Sequence, residues 1–277
     1  MLQPTTALKQ PQSEAIMSII EIIPKREEIG KSLELAARYN AAFEYNDFFA
    51  PEVLDDPGEV DSLISFYLKQ PHDRSRDTLH GVFLDIAIHS SDSLIRRASD
   101  HRIRQSMDIA RALSLRGVVF HTNLIANFRN KAYRQGWLNK NREYFTLLAA
   151  EYPEINIYME NMFDLTPDSL AAFGAATRAC PNLYLCLDVA HAHLSDIPIG
   201  EWLEQTAADI RHLHINDNDG VFDLHQAVGQ GTIDWHNVDH WLRHYQVSSS
   251  VLIETSSIEA QEQSLSYMEQ NHIYPFT

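Results

Sequence analysis

The strongest constraint on the fold is an alternation of short apolar segments with longer segments of helical period, which begins at Met17. The apolar segments have the length and composition of single strands, and they lie at 17–23, 42–46, 82–89, 117–121, 155–160, 183–188, 210–215 and 251–255. The helical segments follow them at 26–39, 59–69, 93–115, 137–151, 167–179, 199–209, 234–245 and 258–270. Strands that alternate with helices in this way predict a parallel sheet, and eight such units predict a single (β/α)8 barrel, a TIM barrel.

A doubly wound open sheet is the alternative fold, since it shows the same alternation. However, no Gly-x-Gly-x-x-Gly follows the first predicted strand, and polar residues stand at the ends of many strands instead of at one switch point. The spacing of the segments also leaves no room for a domain boundary. We therefore expect one barrel domain over residues 17–277, preceded by a polar, proline-containing tail over residues 1–16.

The charge of the chain restricts its partners. Lys and Arg number 22 against 38 Asp and Glu, which gives a formal net charge of −16. Because nucleic-acid affinity comes largely from basic side chains that neutralise phosphates, we expect a small-molecule partner and no nucleic acid.

No apolar run approaches the roughly 18 residues that span a bilayer, so no membrane partner is expected. With only Cys180 and Cys186 and no secretion signal, the sequence predicts a cytoplasmic protein with free thiols, and a homo-oligomer stays open.

Carboxylate and imidazole side chains stand at or just after the ends of six consecutive predicted strands. They are His89, His121, Glu160, Asp188 with His191, His214 and Glu254. A barrel brings the carboxyl ends of its strands to one rim, where barrel active sites lie. Converging buried carboxylates and imidazoles without a cation would each cost roughly several kcal/mol of desolvation. The pattern therefore predicts a divalent cation, and these residue types suit zinc, manganese, iron or cobalt better than calcium.

Five segments, taken in order, resemble the xylose-isomerase-like barrel superfamily. They are YMEN at 158–161, LDVAH at 187–191, HLHIND at 212–217, GQGTIDW at 229–235 and LIET at 252–255. The resemblance extends over about residues 17–270. This superfamily contains sugar and sugar-phosphate isomerases and epimerases, inosose dehydratases, and zinc-dependent abasic-site endonucleases.

For the epimerase branch, the resemblance implies one divalent metal on four residues: Glu160, Asp188, His214 and Glu254. Zinc, manganese, cobalt, iron and magnesium all stay open as its identity. Glu160 and Glu254 are then the catalytic pair. One removes a proton from carbon to form a metal-stabilised enediolate, and the other returns it to the opposite face or the neighbouring carbon. Epimerisation or isomerisation of a sugar or sugar phosphate would result, and loss of a β-hydroxyl would make the enzyme a dehydratase.

The endonuclease branch offers a different interpretation of the same residues, because its members bind three zinc ions through nine side chains. All nine residue types occur here in order, as His89, His121, Glu160, Asp188, His191, His214, Asp223, His225 and Glu254. Thus His89, His121, His191, Asp223 and His225 are either further metal ligands or substrate contacts, and two or three ions stay open. Many ketose epimerases carry an arginine where this chain has Gly220. A multinuclear-zinc phosphoesterase and a non-enzymatic sugar-binding barrel are therefore the alternative functions.

A local basic patch follows the fourth predicted strand. Arg129, Lys131 and Arg134 belong to it, and they would either receive a phosphate or carboxylate of a small substrate or remain solvated. Trp137 beside them would either close over the site or pack in the core. Asn161 and Asn216 are expected to hold the metal ligands in place or touch substrate. Glu44 and Asn46, at the end of the second predicted strand, are within reach of substrate in a barrel.

Overall fold

The structure is a computed structural model that describes residues 18–277. Eight parallel strands form a closed barrel in the order of the chain: β1 Ile20–Ile22, β2 Ala42–Tyr45, β3 Thr78–His80, β4 Gly117–His121, β5 Asn156–Glu160, β6 Leu183–Asp188, β7 Ile210–Ile215 and β8 Ser250–Ile253. β8 pairs with β1 and closes the barrel. The predicted TIM barrel is confirmed, and the open-sheet alternative is excluded. The predicted tail over residues 1–16 lies outside the described residues.

Ten helices accompany these strands in the described part of the chain. They are α1 Ile29–Tyr39, α2 Pro51–Leu54, α3 Pro57–Leu68, α4 Ser93–Leu113, α5 Lys131–Glu151, α6 Asp168–Thr177, α7 Val189–His193, α8 Ile199–Thr206, α9 Trp235–His244 and α10 Ile258–Gln270, with short 3-10 helices at Arg26–Glu28 and Arg74–Arg76. Among the described residues, no helix is long and apolar enough to cross a membrane.

The third strand is the one strand that the sequence placed wrongly, over 82–89. The structure places it at Thr78–His80, where Thr78 pairs with Gly117 and His80 with Val119. Thr78 and His80 face the barrel interior and are polar, so hydropathy does not mark this short strand. The apolar segment 82–89 is instead a loop that begins at Gly81, and part of it, such as Leu84, is exposed to solvent.

The helix α5 begins six residues before its predicted start at 137, since its first residue is Lys131. The side chain of Asn130 caps it by accepting a hydrogen bond from the backbone amide of Tyr133. Lys131 and Arg134 therefore belong to the first turns of a helix, whereas the sequence indicated a loop.

The barrel has two distinct cores. Residues on the outer faces of the strands, such as Val118 and Ile157, pack against the helices in one apolar core. Inside the barrel only a small apolar cluster remains, formed by Val119, Tyr158 and Cys186. Cys186 thus fills the interior below Asp188, as its position two residues earlier in the same strand predicts. Most of the other inward side chains are polar, among them Glu44, Thr78 and His212, and this polar column leads up to the carboxyl-terminal rim.

Candidate metal centre

Four side chains from neighbouring strands meet at the carboxyl-terminal rim of the barrel. Glu160 ends β5, Asp188 ends β6, His214 lies in β7 and Glu254 follows β8 directly. All four are buried, and one ligand atom of each lies within 4.8 Å of the others. Nδ1 of His214 is 3.3 Å from Oε1 of Glu160 and 3.3 Å from Oε2 of Glu254. The structure therefore brings together the four residues expected to hold a divalent metal.

Two asparagines hold this group in position. Asn161 brackets the backbone of Asp188, because its amide donates to the Asp188 carbonyl at 2.9 Å and its oxygen accepts the Asp188 N–H at 2.9 Å. Asn216 donates to Oδ2 of Asp188 at 3.2 Å and approaches Oε2 of Glu254 at 3.5 Å. Both asparagines contact the ligand residues, in the manner of the groups that orient metal ligands in proteins.

The charges of this group favour a cation between its members. Burial raises the pKa of Glu160, but the His214 and His121 rings outweigh burial and hold that pKa well below its usual range. The pKa of Glu254 falls to about 2, because His214 outweighs the effect of burial. Burial raises the pKa of Asp188 to about 7, with His191 opposing the rise. Positive charge is therefore strongly stabilised among these carboxylates.

The same group contains buried polar atoms without hydrogen-bond partners. Among the described residues, these include both carboxylate oxygens of Glu160 and both ring nitrogens of His214. A buried polar atom without a partner costs about 1–3 kcal/mol. A divalent cation at this point would give these oxygens and one ring nitrogen a partner. The residues present thus fit such a cation, and the mixed carboxylate and imidazole set suits a transition metal or zinc.

A second group of candidate ligands shares Glu160 with the first. It consists of His80, His121 and Glu160. Oε2 of Glu160 is 3.1 Å from Nε2 of His121 and 3.8 Å from Nε2 of His80. The sequence indicated His121, but it indicated His89 where the structure has His80. His89 is half-buried, with its Nε2 3.2 Å from the hydroxyl of Tyr133, and it belongs to none of the named ligand groups.

His80 was missed because the strand that it ends was missed. A polar residue at every second position, Thr78 and then His80, was the available signal, since a barrel strand alternates inward and outward residues. Hydropathy alone hides such a strand when its inward face is polar.

A third group of candidate ligands adjoins the first, since Nδ1 of His225 is 3.8 Å from Oε2 of Glu254. His191 follows β6, and Asp223 and His225 lie in the long loop after β7. Oδ2 of Asp223 is 3.4 Å from Nε2 of His191 and 3.3 Å from Nε2 of His225. Burial opposes protonation of His225, but Asp223 and Glu254 raise its pKa to about 10. With His80 in place of His89, the nine side chains form three adjacent candidate ligand groups.

A cavity of about 220 Å³ opens above these groups. Its floor carries His80, His121, His191 and Glu254, and aromatic and thioether side chains form its walls, namely Phe49, Phe83, Met162 and Phe163. Phe83 packs against the His80 ring with ring centroids 5.2 Å apart. No lysine or arginine of the described chain lines this cavity.

Comparison with known proteins places the chain in a family. The profile of the xylose isomerase-like TIM barrel family matches residues 69–271, which is most of the chain. The chain belongs to this family. The uncharacterized protein MJ1311 of Methanocaldococcus jannaschii is 27% identical over 204 residues, which are 69% of this chain and 69% of that protein. Fructoselysine 3-epimerase of Escherichia coli O157:H7 is 24% identical over 154 residues, 50% of this chain and 52% of that enzyme.

Structural comparison agrees with the barrel fold. A crystal structure of a D-tagatose 3-epimerase-like protein superposes with a TM-score of 0.70 and 22% identity, covering 91% of this chain and 96% of that one. At this level of identity the similarity shows that the two proteins share the fold of the xylose isomerase-like barrels.

In this xylose isomerase-like barrel, the basic patch lines a second cleft, separate from the cavity above the ligand groups. The second cleft measures about 830 Å³, and Arg129, Lys131, Arg134 and Trp137 contribute to it. None of the three basic side chains forms an ion pair with a carboxylate among the described residues. Trp137 is buried beneath this cleft, and its indole N–H donates to the carbonyl of Thr122 at 2.8 Å. Trp137 thus packs in the core.

Proposed function

We propose that this protein is a divalent-metal-dependent isomerase or epimerase that acts on a sugar or sugar phosphate. One observation carries the proposal: Glu160 and Glu254 approach the same nitrogen of His214 from two different strands. Two carboxylates that share one centre can serve as proton acceptor and proton donor on the same substrate carbon or on neighbouring carbons. The sugar-epimerase names of the Escherichia coli relative and of the similar crystal structure support this assignment.

The four residues Glu160, Asp188, His214 and Glu254 would hold the cation. A divalent cation held there supplies Lewis acidity toward a substrate carbonyl and its neighbouring hydroxyl. Glu160 and Glu254 both have lowered pKa values, so both are ionised near neutral pH and either one can accept a proton from carbon. The glutamate that accepts the proton becomes the acid that returns it to the same face, whereas return to the opposite face requires that the other glutamate has first taken a proton from water.

Other residues of the cavity would orient the substrate. His191 lies on the cavity floor, with its Nδ1 2.9 Å from the carbonyl of Asn161 and its other nitrogen toward Asp223. The contact with Asn161 would fix the plane of the ring, so that Nε2, which also faces Asp223, could contact a substrate hydroxyl in the cavity. Phe49, Phe83 and Phe163 would exclude water from the reacting carbon and face the C–H side of a sugar.

Isotope exchange tests the proposed chemistry directly. Protein loaded with manganese, cobalt or zinc is incubated in deuterated water with a panel of ketoses, aldoses and their phosphates, and deuterium in the sugar is followed by NMR. We expect exchange into at least one sugar, a loss of about 10²–10⁴-fold in Glu254→Gln, and no loss in the matched control His89→Gln. Absence of exchange across the whole panel with metal bound would refute the proposal.

A multinuclear-zinc phosphoesterase is the second candidate, because all nine side chains of the three candidate groups meet at one rim. Several adjacent cations can bind a phosphate and activate water. Metal analysis with a cleavage assay on an abasic duplex separates the two candidates. Three zinc ions per chain together with cleavage would establish the phosphoesterase, whereas sugar exchange without cleavage would establish the isomerase.

A further inference from the structure

The interior of the barrel below the candidate metal centre contains a carboxylate that faces a metal ligand from behind. Glu44 lies in β2, is fully buried, and places its Oε1 3.3 Å from Nε2 of His214. The opposite nitrogen of that ring, Nδ1, faces Glu160 and Glu254. The two nitrogens of His214 therefore have different neighbours, the metal position on one side and Glu44 on the other.

Oε1 of Glu44 is available for this ring. In the part of the chain that the structure describes, Oε1 of Glu44 is a buried acceptor without a hydrogen-bond partner, and Nε2 of His214, 3.3 Å away, is likewise without one. An N–H on Nε2 of His214 would supply the donor that this oxygen lacks. When that nitrogen carries the proton, Nδ1 must present its lone pair toward the metal position, because a neutral imidazole has one donor and one acceptor nitrogen.

The other oxygen of Glu44 is held by two further side chains. Its Oε2 accepts a hydrogen bond from the hydroxyl of Thr78 at 2.7 Å and lies 3.1 Å from Nε2 of His212. Thr78 stands directly across from Glu44 in the β2–β3 pair, and the far nitrogen of His212 lies 2.6 Å from the hydroxyl of Ser250. These contacts leave the Glu44 carboxylate little freedom to rotate.

The column continues to the opposite end of the barrel. Thr78 also lies within hydrogen-bond distance of Glu21, and Glu21 pairs with Arg116. Arg116 in turn donates to the hydroxyls of Tyr158 and Ser250. Thr78, which donates to Glu44, thus also contacts the Glu21–Arg116 ion pair, and this ion pair does not itself contact His214.

The geometry points to Glu44 as the positioning residue of the metal centre: it binds Nε2–H of His214 and so directs Nδ1 into the space between Glu160 and Glu254. The inference rests on the proposed metal site and adds to it a residue that touches neither metal nor substrate. Carboxylates that hold a ligating histidine in this way fix its tautomer, and their loss costs about 10–100-fold in metal affinity.

Cobalt binding tests this role, because cobalt reports both affinity and the ligand geometry. The Co²⁺ affinity of the full chain is measured by competition with a chromophoric chelator, and the visible absorption of the bound ion is recorded. Glu44→Gln keeps the size of the side chain but removes the charge and places an amide N–H₂ among groups that donate. We expect affinity about 10–100-fold weaker and an altered absorption spectrum.

Asp209→Asn is the matched control, since Asp209 is also a buried carboxylate but pairs with Arg178, away from His214 and from the side chains that hold Glu44. Its Co²⁺ affinity should stay within about threefold of wild type, well below the loss of about 10–100-fold expected when a group that orients a ligand is removed. Wild-type affinity and an unchanged spectrum in Glu44→Gln would overturn the inference, and so would equal weakening in both variants, which would indicate a general effect on the barrel.

Thr78→Val is the second variant if Glu44→Gln does not fold. It keeps the Glu44 charge and removes one hydrogen bond to it, so affinity should fall less than tenfold and an unchanged affinity would contradict the role. Wild-type protein that binds no cobalt would overturn the metal site and this inference together. Wild-type protein that binds cobalt but exchanges no sugar proton would refute only the proposed reaction.

Discussion

The Nε2 atoms of His80 and His121 lie 3.2 Å apart on the floor of the cavity. Two imidazole nitrogens at this distance share one proton or bind one cation. Burial lowers the pKa of His80, with His121 adding to this effect, so a proton on His80 is disfavoured. With Glu160 beside them, the two rings offer a position for a second cation next to the first.

We therefore predict that His80→Gln lowers the number of bound metal ions without abolishing binding. The remaining four-ligand group is untouched, so about one equivalent should be lost from a zinc-saturated sample measured by elemental analysis, if the second position is filled in wild type. The control is His89→Gln, because His89 belongs to neither group. A metal content equal in wild type and His80→Gln, at more than one ion per chain, would exclude His80 as a ligand.

The metal-free protein should lose stability between neutral and alkaline pH through His225. The folded-state pKa of His225 is raised to about 10 from its ordinary 6.5, because Asp223 and Glu254 outweigh burial. Because the folded state raises this pKa, protonation of His225 stabilises the fold. This contribution is complete below about pH 6.5 and disappears as the pH rises through about 10. Asp223 stays ionised throughout this range, since the charged rings of His191 and His225 lower its pKa despite burial.

Urea unfolding with chelator at about pH 6 and pH 10 measures this contribution. Between these two pH values, the free energy of unfolding should fall by about 1 kcal/mol more in wild type than in His225→Gln. This value allows for the solvent exposure of the Asp223–His225 pair. Identical pH dependence in the two proteins would show that the Asp223–His225 pair does not stabilise the metal-free fold.

The outer architecture and the convergence of strand-end carboxylates and imidazoles follow from the sequence pattern, whereas the choice of four of them as candidate ligands came from the family resemblance. Glu160 and Asp188 each end an apolar run of strand length, and such a boundary marks the rim of a parallel barrel. The repeated alternation of strand and helix patterns then places these boundaries side by side. Hydropathy and topology together therefore predict the centre of the site.

The polar interior of the barrel is harder to predict from the sequence, because the side chains that contact each other there are distant in the chain and the inward faces of the strands are not apolar. The segment that contains Thr78 and His80 has the hydropathy of a loop, and only its pairing in the closed barrel identifies it as a strand. Glu21 pairs with Arg116, which lies 95 positions later in the chain. The basic patch shows a further limit: its charges are evident in the sequence, but only the three-dimensional packing places Arg134 in a cleft apart from the cavity.

The basic cleft leads to a prediction about phosphorylated substrates. Among the described residues no lysine or arginine lines the cavity, so Arg129 and Arg134, which line the second cleft, are the guanidinium groups that we expect to bind a phosphate of the substrate. For a sugar phosphate, the double variant Arg129→Gln and Arg134→Gln should raise KM about tenfold or more and change kcat little. For the unphosphorylated sugar, both constants should stay at wild-type values.

Steady-state kinetics on the matched pair of substrates checks this expectation. The double variant Arg111→Gln and Arg178→Gln provides a control of equal charge change, because both arginines lie outside the cleft and pair with Glu154 and Asp209. A sugar phosphate whose KM is the same in wild type and in the double variant would show that the cleft does not bind the phosphate.

The loop that carries Asp223 and His225 is organised by one buried carboxylate, Asp217. Its oxygens accept hydrogen bonds from the backbone amides of Gly229 and Ile233 and from the indole N–H of Trp235, at 2.9, 3.2 and 2.8 Å. The segment 229–235 therefore wraps around this side chain, and a Cβ at Gly231 would lie 2.3 Å from its Oδ1. These contacts explain why glycine and tryptophan occur in this segment and why Trp235 packs in the core.

We predict that Asp217→Asn destabilises this loop, because the new amide N–H₂ group faces donors and leaves at least one buried donor without an acceptor. The expected loss is about 2–4 kcal/mol in the free energy of unfolding, since hydrogen bonds to a charged acceptor contribute about 1.5–3 kcal/mol. Hydrogen exchange should accelerate first at the amides of 218–235, together with weaker metal binding at Asp223 and His225.

Asp219→Asn is the control in the same loop. Among the described residues, the exposed carboxylate of Asp219 accepts hydrogen bonds from the amides of Val221 and Phe222, which an asparagine oxygen can also do. Equal exchange rates in the two variants would show that Asp217 does not organise the loop.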